Sequence, residues 1–279
     1  MMATPTVAWR VIGASVVGTS HRSRGRPCED AHGHRLLADG GLALAVADGA
    51  GSAAHASTAS ARAVESALEF VEQAFAAGHR LAGPTESEDL LREAIQAARR
   101  ALVDLASTAP DPRLDDDAPL ATVEAEPRLA DYATTLLLAI ISPGRVAAAQ
   151  VGDGAIVVGD GAGAVRALTR PDHGEYLNQT TFLTSSDFLE RARFALSDGA
   201  DLSAIALLSD GLEMVSLNWA TGEPHPSFFS PLWDFAREPS AAASAIEEFL
   251  ASDRLSAYTD DDKTLVLAVS CTTAPTDAP

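Results

Sequence analysis

Cysteine is nearly absent from this chain. Its 279 residues include two, Cys28 and Cys271, near opposite ends and in no Cys-x-x-Cys pair. A zinc knuckle or a dithiol redox motif is therefore not expected. The two read as free thiols of a reducing compartment, with one disulfide as the alternative. Aromatic residues are also scarce, at 5% against 47% hydrophobic, so the core must be built from Ala, Val, Leu and Ile. Lysine and arginine number 20 against 39 acidic residues, a formal charge of −19. That balance argues against a nucleic-acid partner, which calls for a basic face. It suits a chain that gathers carboxylates around hard cations, although most of these charges read as solvated surface. No apolar run approaches the ~18 residues of a membrane span, and no basic region followed by an apolar stretch opens the chain. A soluble, cytoplasmic protein without a membrane partner is expected.

What is present is a series of short apolar runs punctuated by glycine, proline and aspartate. Strands are expected over 9–18, 41–47, 134–141, 145–151, 155–158, 165–168, 204–208 and 264–269. Helices are expected from about 53 to 77 and 87 to 105, where apolar residues recur at spacings of three and four, and from about 240 to 250. A short helix is expected near Asp187 within an otherwise irregular stretch from 171 to 193. The segment 21–28 (HRSRGRPC) reads as a polar, basic loop. Closely spaced strands in the second half suit antiparallel hairpins rather than βαβ units. The chain reads as one α+β domain over 1–279, with a mobile acidic insertion at 106–131 and a disordered tail at 272–279. Asp115, Asp116 and Asp117 in the insertion read as solvated.

One pattern recurs. An apolar strand stops at an aspartate followed by a turn residue, at Asp48-Gly49, Asp153-Gly154 and Asp210-Gly211. The mirror arrangement, Asp260-Asp261-Asp262, precedes the last strand. A single Asp-Gly is an ordinary turn signal. Several at the ends of buried strands are different, because each end is held rigidly and glycine lets the chain turn away. Carboxylates and carbonyl oxygens are then left facing one spot. Such an oxygen-rich nest suits Mg²⁺ or Mn²⁺. Asp160-Gly161 and Asp198-Gly199 lie in polar, glycine-rich hairpins and read as turns. His32 and His34 would share a face of a strand, but no third nitrogen or sulfur ligand is near in sequence, and they read as surface histidines rather than zinc ligands.

Several segments stand in a telling order: Gly18-Thr19-Ser20-His21 with Pro27-Cys28-Glu29-Asp30-Ala31, then Ala45-Val46-Ala47-Asp48-Gly49-Ala50-Gly51, then Ala133-Thr134-Thr135 and Ala149-Gln150-Val151-Gly152-Asp153. Leu168-Thr169-Arg170-Pro171-Asp172-His173, Leu207-Leu208-Ser209-Asp210-Gly211-Leu212 and Asp261-Asp262-Lys263-Thr264 follow. Taken together they resemble the metal-dependent protein phosphatase family (protein phosphatase 2C-like), in particular its compact bacterial branch. The resemblance implies an αββα sandwich of two antiparallel sheets flanked by helices, with a two-metal Mg²⁺ or Mn²⁺ centre at one edge. It implies that Asp48 bridges the metals, that the Gly49 carbonyl completes one sphere, and that Asp210 and Asp261 hold the other ion. Glu29 would act through bound water, Asp30 beside it is a further acidic candidate, and Asp153 with Asp210 would form a third, weaker site. The implied reaction is hydrolysis of phosphoserine or phosphothreonine by a metal-bridging hydroxide, with no cysteine nucleophile.

The chain also departs from the pattern. The family places an arginine four residues before the first acidic residue; here that position is Gly25. Arg24 or Arg22 is read as the substitute for binding substrate phosphate, against the alternative that both are simply solvated. Asp262 stands where many relatives carry asparagine, and Asp261 is taken as the ligand. His173 is a candidate proton donor to the substrate. Ser209 lacks the Gly-x-Ser-x-Gly surroundings of a nucleophile. The implied partners are a phosphorylated protein and a cognate serine/threonine kinase, around a monomer. A catalytically weak or inactive regulatory module of the same fold is the alternative. A nucleotide-directed metallohydrolase lacks a phosphate loop to support it, and a calcium-stabilised protein lacks the ligand spacing.

Overall fold

A computed structural model describes residues 7–108, 129–170 and 180–272. Among the described residues, ten strands form two antiparallel sheets. The first contains β1 (Val7–Val16), β6 (Ala155–Asp160), β7 (Val165–Thr169), β9 (Leu202–Leu208) and β10 (Lys263–Thr272), in the order β1-β10-β9-β6-β7. The second runs β2-β3-β4-β5-β8 and contains β2 (Asp30–Leu36), β3 (Leu42–Asp48), β4 (Leu136–Ser142), β5 (Arg145–Val151) and β8 (Arg193–Asp198). Helices α2 (Ala56–Ala76) and α3 (Pro84–Thr108) cover the second sheet; α6 (Pro226–Arg237) and α7 (Ala243–Leu250) cover the first. The result is the expected αββα sandwich.

Strand alternation explains the layers. In β3, Leu42, Leu44 and Val46 point into the space between the sheets, while Ala43, Ala45 and Ala47 face the helices. The same division holds in β10: Val266 and Ala268 point inward, and Leu265, Leu267 and Val269 face the helical side. Side chains of period two thus feed two cores from each strand. Where β3 offers only alanine to α2, the helix answers with Ala59, Ala63 and Ala67, all fully buried. Small residues on both surfaces let helix and sheet approach closely, so few aromatics are needed to fill the layer.

The first strand pairs with the last over their whole length, from Val7↔Thr272 to Val16↔Lys263. β10 therefore extends to the residue at which the tail was expected to begin. Of the expected insertion, 106–108 close α3 and 129–131 lie in a 3₁₀ turn (Leu129–Tyr132); 109–128, with Asp115, Asp116 and Asp117, fall outside the described residues. The short helix near Asp187 is α4 (Phe188–Arg191), and the loop after β1 contains a one-turn helix, α1 (Thr19–Ser23). Asp160-Gly161 does turn a hairpin, between β6 and β7. Asp198-Gly199 does not, because β8 and β9 belong to different sheets and the turn carries the chain across the sandwich. α6 forms where no element was expected. Both cysteines are free thiols. Among the described residues no helix is long and apolar enough to cross a membrane.

Candidate metal centre

Antiparallel pairing brings the C-terminal ends of β3, β5 and β9 to one edge, together with the N-terminal ends of β2 and β10. Asp48 closes β3 directly opposite Asp30, which opens β2. Its backbone is clamped by the next strand. The Asp48 N–H donates to Thr135 Oγ1 (2.9 Å), and the Asp48 carbonyl accepts from Thr135 N (2.8 Å) and Thr134 Oγ1 (2.8 Å). Ala50 N donates to the Ala133 carbonyl (2.9 Å). These bonds flank Gly49, which stands opposite Thr134, and among the described residues no backbone N–H donates to the Gly49 carbonyl.

Asp30 joins the two sheets. Its Oδ2 accepts from Ser209 Oγ (2.8 Å) at the end of β9 and from Thr264 Oγ1 (2.7 Å) in β10. Ser209 Oγ also accepts from Thr264 N (3.0 Å). A further step connects Thr264 Oγ1 to Ser15 Oγ (2.7 Å) and Ser15 Oγ to His32 Nδ1 (2.9 Å). His32 is thus bonded within the sandwich and His34 is exposed.

Asp261 and Asp262 have different jobs. Asp262 is buried, and both its oxygens are engaged: Oδ1 accepts from Gly18 N (2.7 Å), Oδ2 from Glu29 N (2.6 Å) and from the His21 ring at Nδ1 (3.0 Å). It fastens the α1 loop to the start of β10. Asp261 is exposed and uses one oxygen to accept from Asp262 N (2.8 Å); among the described residues the other accepts no hydrogen bond. His21, Asp261 and Asp262 bring donor atoms within 4.8 Å of one another, but the saturation of Asp262 makes this a hydrogen-bonded support rather than a ligand set.

Electrostatics locate the cluster. Burial pushes Asp210 up to about 7, with Asp153 and Asp261 adding repulsion. Burial likewise raises Asp48 well above the usual carboxylate range, helped by Asp30, Asp210 and Asp153. Burial raises Asp30 to about 7 despite its two hydroxyl donors. The Asp48 and Asp210 carboxyls lie close enough to perturb one another directly. Carboxylates at such range cannot all be ionised without a counter-charge. In addition, Glu29 Oε2, Asp30 Oδ1 and Asp210 Oδ1 are buried with no hydrogen-bond partner among the described residues. Orphaned buried oxygens call for an explanation, and a hard dication satisfies them: the donor set is all oxygen, as Mg²⁺ and Mn²⁺ prefer.

Asp153 sits in a braced turn. Thr180 Oγ1 donates to its Oδ2 (2.7 Å), Glu213 Oε1 accepts from Gly154 N (2.8 Å), and Gln150 Nε2 donates to the carbonyls of Gly152 (3.1 Å) and Gly154 (3.0 Å). Arg193 adds a bond to the Gly152 carbonyl (3.0 Å). Glu213 was not singled out by sequence; its one signal is its place three residues after Asp210. Burial raises its carboxyl to about 7.

Among the loop arginines, Arg26 stands at the cluster. It pairs with Glu29 Oε1 (2.5 Å) and donates to the Gly51 carbonyl (2.7 Å). Arg22 instead reaches back to the Val17 carbonyl (3.3 Å), and Arg24 is exposed. His173 lies outside the described residues.

Comparison with known proteins gives the setting. Residues 17–251 match the family model described as protein phosphatase 2C. Serine/threonine-protein phosphatase 3 of Escherichia coli (strain K12) is 32% identical over 273 residues, covering 94% of this chain and 99% of the relative. Among solved structures, the serine/threonine phosphatase Stp1 from Staphylococcus aureus superposes with a TM-score of 0.60 at 15% identity, covering 96% of this chain and 98% of that one. The catalytic domain of PstP, in complex with two manganese ions, gives a TM-score of 0.57 at 18% identity, covering 95% and 99%.

Proposed function

This chain belongs to the protein phosphatase 2C family and is a serine/threonine phosphatase, and we propose that it works through two divalent cations, Mg²⁺ or Mn²⁺, held at the strand-end carboxylates. Asp48 and the Gly49 carbonyl, with Asp210 and Asp261, are the direct ligands; Glu29 and Asp30 support the site; Asp153 with Asp210 offers a third position. The observation that carries this assignment is the meeting of Asp48, Asp210, Asp153 and Asp261 around buried oxygens that lack hydrogen-bond partners among the described residues. The PstP complex, a structural neighbour with two manganese ions, supports it. When bound, such ions supply an activated water near neutral pH and neutralise charge on the phosphoryl oxygens.

The chain's own residues supply position. Thr134 and Thr135 fix the Asp48 backbone, the Ser209 and Thr264 hydroxyls aim Asp30, and Asp262 with His21 anchors the strand that presents Asp261. Arg26 is the cation best placed to meet a phosphate, in preference to Arg24 or Arg22. The substrate is a phosphoprotein, a cognate kinase is a natural partner, and the enzyme is a cytoplasmic monomer of one catalytic domain. The test is phosphate release from a phosphothreonine peptide with Mn²⁺, Mg²⁺ or EDTA, alongside Asp48→Asn. Metal-dependent turnover that chelation abolishes, and that the substitution lowers by at least about a thousandfold, is expected. Turnover that persists in EDTA would overturn the metal assignment.

A further inference from the structure

The two segments that bring Asp210 and Asp261 to the cluster also form the walls of an apolar groove on the helical side of the first sheet. The short helix α5 (Glu213–Ser216) follows Asp210 and carries Met214. The short helix α8 (Asp253–Ser256) precedes Asp261 and leads into Tyr258. Between these walls lies a cavity of about 500 Å³, floored by Phe228, Leu232, Phe249 and Leu255. Met214 is 57% exposed and Tyr258 63%, and three of the floor residues are only partly covered. Met214 and Tyr258 both line this one groove, and exposed apolar side chains gathered in one place are a mark of interaction sites.

We propose that this groove is a specificity subsite for the phosphoprotein substrate, taking an apolar side chain close in sequence to the phosphoresidue. The inference rests on the phosphatase reading above. Continuity with the metal centre selects the occupant. Met214 is four residues of helical chain from Asp210, roughly 6–8 Å, and Tyr258 is three residues from Asp261, at most ~10 Å. An extended peptide advances ~3.3 Å per residue, so a substrate with its phosphate at the cluster places a side chain in the groove about two to four positions away. The walls suit a range of sequences: methionine is unbranched and adaptable, and tyrosine offers an apolar body with a polar tip. Arg254 is an exposed cation lining the same groove, in a chain of net charge −19, and favours a substrate with an acidic residue beside the apolar one. The same charge opposes a second copy of the chain as occupant.

The experiment compares p-nitrophenyl phosphate with phosphothreonine peptides carrying Leu or Ser at each of the flanking positions, for the wild type, Met214→Glu, Tyr258→Ala and Arg254→Ala. The wild type should favour Leu at one position by about tenfold in kcat/KM, carried by KM, as expected for a buried aliphatic side chain. Met214→Glu should erase that preference and Tyr258→Ala weaken it, with turnover of p-nitrophenyl phosphate unchanged. Arg254→Ala should remove any gain from an adjacent acidic residue. Equal turnover of all peptides by the wild type overturns the subsite. So does a parallel loss on both substrates, which would mean that the residues merely support the fold. A change of oligomeric state in Met214→Glu with peptide preference intact assigns the groove to a second copy and overturns it too. Failure of the wild type to hydrolyse p-nitrophenyl phosphate with Mn²⁺ overturns the phosphatase reading itself, and the subsite with it.

Discussion

At the scale of single residues, the proposed ligands Asp48, Asp153 and Asp210 stand out in the sequence because each follows or closes an apolar strand before a glycine turn, and Asp261 because it precedes one. Their supports do not. Ser209, Thr264, Thr135 and Glu213 act by reaching a segment far away in sequence, and nothing local distinguishes a serine that holds Asp30 from one that faces water. Arg26 was passed over for the same reason, since three arginines alternate in one loop and only the fold shows which meets Glu29. Two predictions belong here. Arg26→Ala should raise KM for a phosphopeptide about tenfold with a smaller change in kcat, because it removes a charge-assisted contact to phosphate; a variant with unchanged KM would return the role to Arg24 or Arg22. Glu213→Ala should weaken Mn²⁺ binding by roughly ten- to a hundredfold, as loss of an outer-shell partner does, and Glu213→Gln should restore it through its remaining acceptor for Gly154 N. Isothermal titration of the three proteins measures this, and equal affinities would show that the turn holds Asp153 without Glu213.

At the scale of elements, the apolar runs were read correctly, while β2, β8 and α6 were missed. β8 (RFALSD) is a sheet edge with only Phe194 and Leu196 packed towards the helices, too short a pattern to stand out. α6 contains Pro231 in its interior, which argues against a helix on local grounds. Burial of Phe229, Trp233 and Ala236 against the first sheet overrides that preference, as tertiary context commonly does. Elements meet most tightly at Gly211, where a Cβ would lie 2.0 Å from the Asp262 carbonyl oxygen. Gly211→Ala must push the 3₁₀ turn at Asp210 away from the start of β10, separating Asp210 from Asp261. Overpacking of this kind costs about 1–3 kcal/mol, so a lowering of Tm by roughly 3–10 °C is expected, together with weaker metal-dependent turnover. A variant with wild-type Tm and activity would show that the two segments yield freely.

At the scale of the whole molecule, the acidic end of the sandwich links stability to pH and metal. Asp30, Asp210 and Glu213 hold their protons up to about 7 in the folded, metal-free chain, whereas an unfolded chain releases them near pH ~4. Between those limits the native state binds more protons, so stability falls as pH rises through the window. Metal-free protein should therefore melt at a lower temperature at about pH 8 than at about pH 5, and Mn²⁺ should raise the melting temperature at the higher pH by binding the folded state. Scanning calorimetry in EDTA and in Mn²⁺ measures both; a metal-free melting temperature that rises with pH would count against a close-packed carboxylate cluster. The αββα architecture was legible through the family resemblance, while the partnership of first and last strands lay beyond any local pattern. That partnership bears on biosynthesis. β1 is synthesised long before β10, its one neighbour in the sheet among the described residues, and the segment leading into β10 carries Asp261 and Asp262. A nascent chain must therefore keep an apolar strand waiting through some 250 residues of translation before sheet and site can close together. Such long-range closure is slow and leaves sticky intermediates, so this chain is expected to lean on chaperones and to show no partial activity when translation stops short.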